Sequence, residues 1–411
     1  MKTQQKRLLI ISPPYSYRIA AFLQAARRMN IHADIASAGE HSVVSVIHGG
    51  IHIDYKNTEA ALSTLIDVVR KNGGYDGIIG TDDNTVVLAS LLSEKLNLPC
   101  NPPEAALKTR RKDIARQTLK EHGCAVPEFR VLALDRPLPP QIAGFPFPAV
   151  IKPVNMAASR GVMRVDNPEQ LEKAVGRLQP ILEDSESPED SNTALLEAFM
   201  PGAEVAYEGL LSRGRLQTIA VFDKPDALDG PFFEESYYIT PSRYPEYLQA
   251  NLRNTVQQAC AAYGLVEGPI HAELRIDGDA IRIVEVASRT IGGECSKSIR
   301  YGGQYNLEDL VIAHATGMSI ERNEKPERAS GVLMIPIPQA GILRRVEGIL
   351  AAQRVPLIDE ISLAIRAGNL LTPLPEGSSY LGYIFASGGT PESVEAALRT
   401  AHRHLNFVIE P

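Results

Sequence analysis

The residues best suited to chemistry lie close together, between His271 and Gly293. Ile270–Ile276 and Ala280–Val286 alternate as two β-strands should, joined as a hairpin across Asp277-Gly278-Asp279. Period-two alternation puts His271, Glu273 and Arg275 on one face of the first strand, and Glu285, Ala287 and Arg289 on one face along the second. With a three-residue loop, Ile276 pairs with Ala280 and Glu273 with Ile283. Glu273 and Glu285 are then diagonal neighbours on one face, about 7–8 Å apart at Cα. Two carboxylates converging in this way could share hard cations whose octahedral shells phosphate oxygens complete. A two-residue loop would put them on opposite faces and remove the site. Arg289 offers a planar fork of donors to carboxylate or phosphate. Gly292-Gly293 allow a sharp turn or a close backbone approach. His271 reads as a packed strand residue rather than a catalytic base.

The elements that must position these groups follow from the rest of the pattern. Leu8–Ile11, Ala33–Ala36 and Gly77–Gly80 read as buried strands, separated by helical stretches at Arg18–Met29 and Glu59–Lys71 and followed by one at Thr85–Leu96. Strand–helix alternation with short loops implies a parallel sheet. No G-x-G-x-x-G follows the first strand, so a dinucleotide site there is unsupported. Glu104–Gly123 reads as a basic helix carrying Lys108, Arg110, Arg111, Lys112, Arg116 and Lys120. Ala149–Pro153 is a strand with Lys152 near its end, and the small-residue loop Met156–Val162 follows. Strands at Leu195–Phe199 and Glu204–Leu211 flank a Pro201-Gly202 turn. Glu183–Ser191 reads as an acidic loop, Phe222–Pro245 as a long irregular segment and Leu252–Gly264 as a helix. After about Pro326 a last unit of alternating strands ends in a helix, Pro391–Leu405.

Taken in order, these segments resemble a known family. Gly264-Leu265-Val266-Glu267-Gly268-Pro269-Ile270-His271-Ala272-Glu273 and Val284-Glu285-Val286-Ala287-Ser288-Arg289-Thr290-Ile291-Gly292-Gly293 look like the metal-binding end of ATP-grasp enzymes, in particular the L-amino-acid ligases. Lys112, Lys152, the loop 156–161, and Glu197 and Glu204 are similar to the family's other landmarks, in the family's order. The resemblance implies an α/β chain. It would comprise an N-terminal parallel-sheet, Rossmann-like pre-ATP-grasp domain (1–105), a two-lobed ATP-grasp core (106–322, lobes about 106–195 and 196–322) and a mixed α/β C-terminal unit (323–411). It implies ATP as cofactor, with Mg2+, or Mn2+ in its place, on Glu273 and Glu285. Lys112, Lys152, Ser159 and Arg160 would contact phosphates. Glu197, Ala198 and Phe199 would hold the adenine edge, and Glu204 the ribose. Arg289, with Gly292 and Gly293, would bind the substrate carboxylate and stabilise the tetrahedral intermediate.

The implied reaction is ATP-dependent ligation of a small-molecule carboxylate to an amine through an acyl phosphate, with an amino acid as one substrate. Two departures stand out. Ala287 occupies a position where many relatives carry Asn. In Glu235-Ser236-Tyr237-Tyr238 the family's glutamate is kept, but Tyr238 replaces a histidine. Glu235 could hold a substrate ammonium, while Tyr238 points to a changed substrate. Rival readings are a carboxylase or formate-dependent enzyme of purine type, and a non-catalytic ATP-binding regulator.

Composition limits the partners. The chain has 411 residues, 44% of them hydrophobic, and a formal net charge of −7, which argues against nucleic acid as a partner. No apolar run is long enough to span a membrane. Four scattered cysteines lack metal-ligand spacing, as expected of reduced thiols in a cytoplasmic protein. A homodimer is the default oligomeric expectation.

Overall fold

Leu8 to Ile11 are fully buried, as a continuous apolar run must be when helices cover both faces of a sheet. The computed structural model describes residues 5–39, 50–54, 57–184, 190–301, 305–320 and 328–411. In it, Arg7–Ile11 lies between His32–Ser37 and Gly77–Gly80 in a four-stranded parallel sheet, with Ile51–His52 at the edge. The expected N-terminal parallel sheet is therefore present. The carboxyl end of Gly77–Gly80 delivers Asp82 and Asp83 toward the rest of the molecule. Of the expected acidic loop, residues 185–189 lie outside the described residues.

The basic stretch is two helices, Pro103–Arg110 and Lys112–Glu121, rather than one. Extended backbone at Arg111 (φ −104°, ψ 103°) separates them. The N–H of Lys112 donates to the Val154 carbonyl at 2.8 Å. This break anchors Lys112 beside the strand that carries Lys152.

One lobe is an antiparallel sheet ordered Phe129–Ala133, Thr193–Ala198, Ala149–Pro153, Met163–Val165. Helix Pro168–Glu183 packs Leu171 and Leu178 against it. Thr193–Ala198 runs across the lobe division expected at 195/196.

The other lobe belongs to an eight-stranded sheet. Its order is Ala280–Ala287, Gly268–Asp277, Ala203–Ser212, Arg215–Lys224, Tyr237–Thr240, Ala329–Ile335, Gly382–Gly388, Ile358–Leu363. One expectation is corrected here. The segment 222–245 is not irregular throughout, because Phe222 to Lys224 end one strand and Tyr237–Thr240 form another. Four residues between Pro231 and Pro241 are too few to show alternation. The division expected at 322/323 falls outside the described residues, but the strands beyond it continue the core sheet, with Tyr238 opposite Val332. Only Gly341–Glu347, Leu370–Leu371 and Asn406–Glu410 form a separate small sheet. Helix Glu246–Tyr263, longer than expected, buries Leu252, Val256 and Tyr263 against the hairpin side.

The hairpin loop differs from the expectation in a way that bears on function. Asp277 pairs with Ala280, so the loop is the two residues Gly278-Asp279. Gly278 has φ +59° and occupies the first central position, where a two-residue turn needs a residue free to adopt positive φ. On parity alone this loop would separate Glu273 from Glu285. A β-bulge restores them. The ladder runs regularly to Leu274 opposite Ile283, then steps to Glu273 opposite Glu285, leaving Val284 as the extra residue. The two carboxylates are direct cross-strand partners, not diagonal ones.

Because Tyr237–Thr240 is sealed by strands from beyond residue 328, a chain ending at residue 328 should leave an open apolar edge and fail to fold. The expected outcome is aggregated material without a cooperative urea transition, against a single transition for the 411-residue chain, read by circular dichroism and size-exclusion chromatography.

Candidate active site

The two lobes, the hairpin and the N-terminal domain enclose a cavity of about 370 Å3. Among the residues singled out from sequence, Lys112, Lys152, Ser159, Glu197, Ala198, Phe199, Glu204, Glu235, Tyr238, Glu273, Glu285, Arg289, Gly292 and Gly293 line it. Arg160 does not. Its Nε donates to the Glu376 carbonyl at 2.9 Å and its Nη2 to Asp184 at 2.8 Å. Arg160 thus ties the loop after Lys152 to the C-terminal unit, and Gly161 N–H donates to the Pro375 carbonyl at 2.9 Å. Ala157, Ala158 and Ser159 face the cavity, with Ala158 and Ser159 at φ +55° and +54°.

At one end of the cavity sits a buried charge network. Glu197, 2% exposed, accepts from Arg116 Nε at 2.5 Å and from Arg116 Nη2 at 3.3 Å, and pairs with Lys152 Nζ at 2.6 Å. Burial alone would raise the Glu197 carboxyl, but the two cations outweigh it and hold its pKa at about 2. Burial pulls the Lys152 ammonium below its ordinary value, and Glu197 offsets part of that. Arg116 also donates to the Ile283 and Val284 carbonyls, each at 2.8 Å. The second of these belongs to the bulge residue, which the ladder leaves without a partner. One guanidinium therefore joins the helix at Lys112–Glu121, the lysine-bearing sheet and the bulge that aims Glu285.

Glu285 faces Lys112, with Oε2 and Nζ 2.8 Å apart, and Lys112 Nζ also donates to the Met156 carbonyl at 2.8 Å. Across the hairpin, Glu273 belongs to a second cluster. Carboxylate oxygens of Glu204, Glu235 and Glu273 lie within 4.8 Å of one another. Lys224 Nζ sits among them, 2.7 Å from Glu204, 3.3 Å from Glu273 and bonded to Glu235. Arg275 Nε takes the other oxygen of Glu204 at 2.8 Å. Tyr238 donates its hydroxyl to Glu235 at 2.7 Å. Burial, and then the charge of Glu273, raise Glu235 to about 7.

The donor set suits a hard divalent cation. Glu273 and Glu285 present opposed carboxylates, and lysines stand beside both where phosphate oxygens could also be neutralised.

The far wall comes from other parts of the chain. Arg289 is buried and forked on Asp83, with Nε 3.0 Å from both carboxylate oxygens and Nη2 3.0 Å from Oδ2. Arg18 pairs with Asp82, and Tyr17 OH accepts the Gly293 N–H at 2.8 Å. A Cβ on Gly293 (φ +59°) would lie 2.1 Å from Met334 Sδ, so a larger residue here would strain the backbone and push the Met334 side chain aside. Tyr380 and Tyr383 line the cavity from the same unit.

Sequence reasoning did not single out Arg116, Lys224, Asp83, Tyr380 or Tyr383. Asp82-Asp83 carried a usable signal, since they follow the carboxyl end of a parallel strand, where open α/β sheets place ligands. Arg116 carried none, being one of six bases on its helical stretch. Lys224 was hidden at a strand end read as irregular.

Comparison with known proteins agrees with this architecture. Residues 145–298 match the ATP-grasp domain, and residues 333–410 match L-amino acid ligase C-terminal domain 2. Over 400 residues the chain is 22% identical to uncharacterized protein y4rH of Sinorhizobium fredii, covering 95% of this chain and 80% of that one. Over 289 residues it is 26% identical to human carnosine synthase 1, covering 66% of this chain but only 35% of that protein. The crystal structure of L-amino acid ligase from Bacillus licheniformis superposes with a TM-score of 0.86 at 24% identity, over 100% of both chains, which establishes the fold. Among the described residues no helix is long and apolar enough to cross a membrane.

Replacing Glu197 with Gln leaves Arg116 and Lys152 as neighbouring buried cations. Glu197→Gln should lower stability at pH 7 by about 3–5 kcal/mol in urea unfolding. The native carboxyl is depressed from 4.5 to about 2, so its contribution is complete above about 4.5 and lost as pH falls toward 2. The gap between wild type and variant should close over that interval. A constant gap would show that the charge is not responsible.

Proposed function

We propose that this chain is an ATP-grasp ligase that joins a small-molecule carboxylate to an amine, with an amino acid as one substrate, through an acyl-phosphate intermediate. The observation that carries the reading is the pairing of Glu273 with Glu285 across the bulge, between Lys112 and Lys224 and facing Lys152 across one cavity. Glu273 and Glu285 would hold Mg2+ or Mn2+, and the bound ion would neutralise charge on the phosphates and polarise the transferred phosphoryl group.

The chain's own groups account for the rest. Lys112 and Lys152 stand where they can neutralise phosphate oxygens, and Glu197 keeps the Lys152 ammonium fixed in its buried setting. The backbone at Ala198 and Phe199, whose N–H groups donate to the Glu128 and Pro148 carbonyls, would line the adenine edge, and Glu204 would accept ribose hydroxyls. The loop 156–161, fastened through Arg160 and Gly161 to residues 375–376, would cover the phosphates and keep water from the acyl phosphate. Asp83 holds the Arg289 fork at the cavity wall, where it would orient the substrate carboxylate and stabilise the tetrahedral oxyanion. Glu235, placed by Tyr238, would receive the ammonium of an amino-acid substrate. The match of residues 333–410 to an L-amino acid ligase domain and the chain's resemblance to carnosine synthase support an amino acid as one partner.

The test is ADP and phosphate release in a screen of amino-acid pairs. Release should need both a carboxylate and an amine; release with bicarbonate or formate alone, or no release with any pair, would defeat the reading. Glu285→Ala should lower turnover by at least about 100-fold while metal-free nucleotide binding persists.

Arg289→Lys separates catalysis from packing. Lysine keeps the charge and can still pair with Asp83 but loses the fork, so turnover should drop by ~10²–10³-fold with nucleotide affinity nearly unchanged. Activity within a few-fold of wild type would assign Arg289 to structure alone.

A further inference from the structure

His271 stands beside the paired carboxylates, yet the reaction described above makes no use of it. Only 5% exposed, it lies in register with Glu208 on one neighbouring strand and Ala287 on the other. The adjoining row on the same face is Ala206, Glu273 and Glu285. His271 Nδ1 is 2.5 Å from Glu208 Oε1. Glu208 is fully buried, and its Oε2 accepts the Ile291 N–H at 3.2 Å, so the carboxylate and the ring it holds are both fixed in place.

That orientation sends Nε2 toward the cavity, 3.5 Å from Glu273 Oε1. The separation is long for a hydrogen bond. It is near the roughly 3 Å between adjacent ligands of an octahedral ion with bonds of about 2.1 Å. Ala287, directly opposite, offers a methyl group and no donor atom. A carboxylate on one ring nitrogen with the other nitrogen facing a cation is how ligating histidines are commonly oriented.

Resting on the reading that Glu273 and Glu285 hold a divalent cation with the nucleotide, the geometry points to His271 Nε2 as a third protein ligand of that cation, with Glu208 as its positioning residue. A nitrogen donor has a consequence for metal choice. Imidazole is a poor partner for Mg2+, which prefers all-oxygen shells, and a better one for Mn2+. The site should therefore bind Mn2+ more tightly than Mg2+ in the presence of nucleotide.

The experiment uses the full chain carrying 15N-histidine, loaded with Mn2+ and a non-hydrolysable ATP analogue, and reads electron spin echo modulation. Coupling of Mn2+ to 15N is expected in the wild type and should vanish in His271→Gln. Mn2+ affinity should fall about 10–100-fold in Glu208→Gln, while metal-free nucleotide binding, measured on the same samples, stays constant and reports that the variants are folded. The preference for Mn2+ over Mg2+ should shrink in His271→Gln. Mn2+ bound with nucleotide in the wild type but without histidine coupling would overturn this inference and leave the ligase reading standing. So would Mn2+ affinity within twofold of wild type in His271→Gln. Failure of the wild type to bind Mn2+ with nucleotide at all would overturn both.

Discussion

The Arg116–Glu197 pair is the interaction on which the site depends. A guanidinium and a carboxylate taken out of water cost several kcal/mol each, and that cost is offset only when every donor and acceptor is used. Here they are used on four sides. Glu197 takes Arg116 and Lys152, and Arg116 takes the carbonyls of Ile283 and Val284. Those carbonyls lie at the β-bulge, so their satisfaction and the existence of the bulge are coupled. The bulge sets which face Glu285 occupies. Glu285 and Lys152 are thus placed by one buried network, although they come from different sheets.

Around that network the cavity is organised by charge balance. Glu285 faces Lys112, Glu273 and Glu204 face Lys224, and Arg289 faces Asp83. Each carboxylate is fixed by a cation, which keeps like charges from spreading the cluster apart. Burial and the neighbouring Glu273 charge bring the Glu235 carboxyl to about 7, while Glu208 and Glu273 outweigh burial at His271 and favour a ring proton that a bound cation would displace. A substrate or ion entering here exchanges one set of charge partners for another rather than meeting bare charge.

The C-terminal unit is part of this machine, not an attachment to it. Its strands extend the core sheet through Tyr237–Thr240, it contributes Tyr380 and Tyr383 to the cavity, and its 375–376 segment holds the loop after Lys152. One short stretch of chain therefore meets both the expected nucleotide loop and the expected substrate end.

The sequence alone determined the strands and helices with strong periodicity, the parallel N-terminal sheet, and the identity of many of the ionisable groups lining the cavity. These are legible because period and residue type are local properties. It could not determine the hairpin register, since a two-residue turn and a one-residue bulge each reverse parity and only the folded ladder shows both together. It pointed Arg160 at phosphates, where the structure has it fastening a loop to residues 184 and 376. It passed over Arg116, because one arginine among six on a helical stretch acquires its role only from carbonyls 167 and 168 positions away. Residue chemistry is written along the chain, but which face a side chain occupies, and which distant group neutralises it, is decided by tertiary packing.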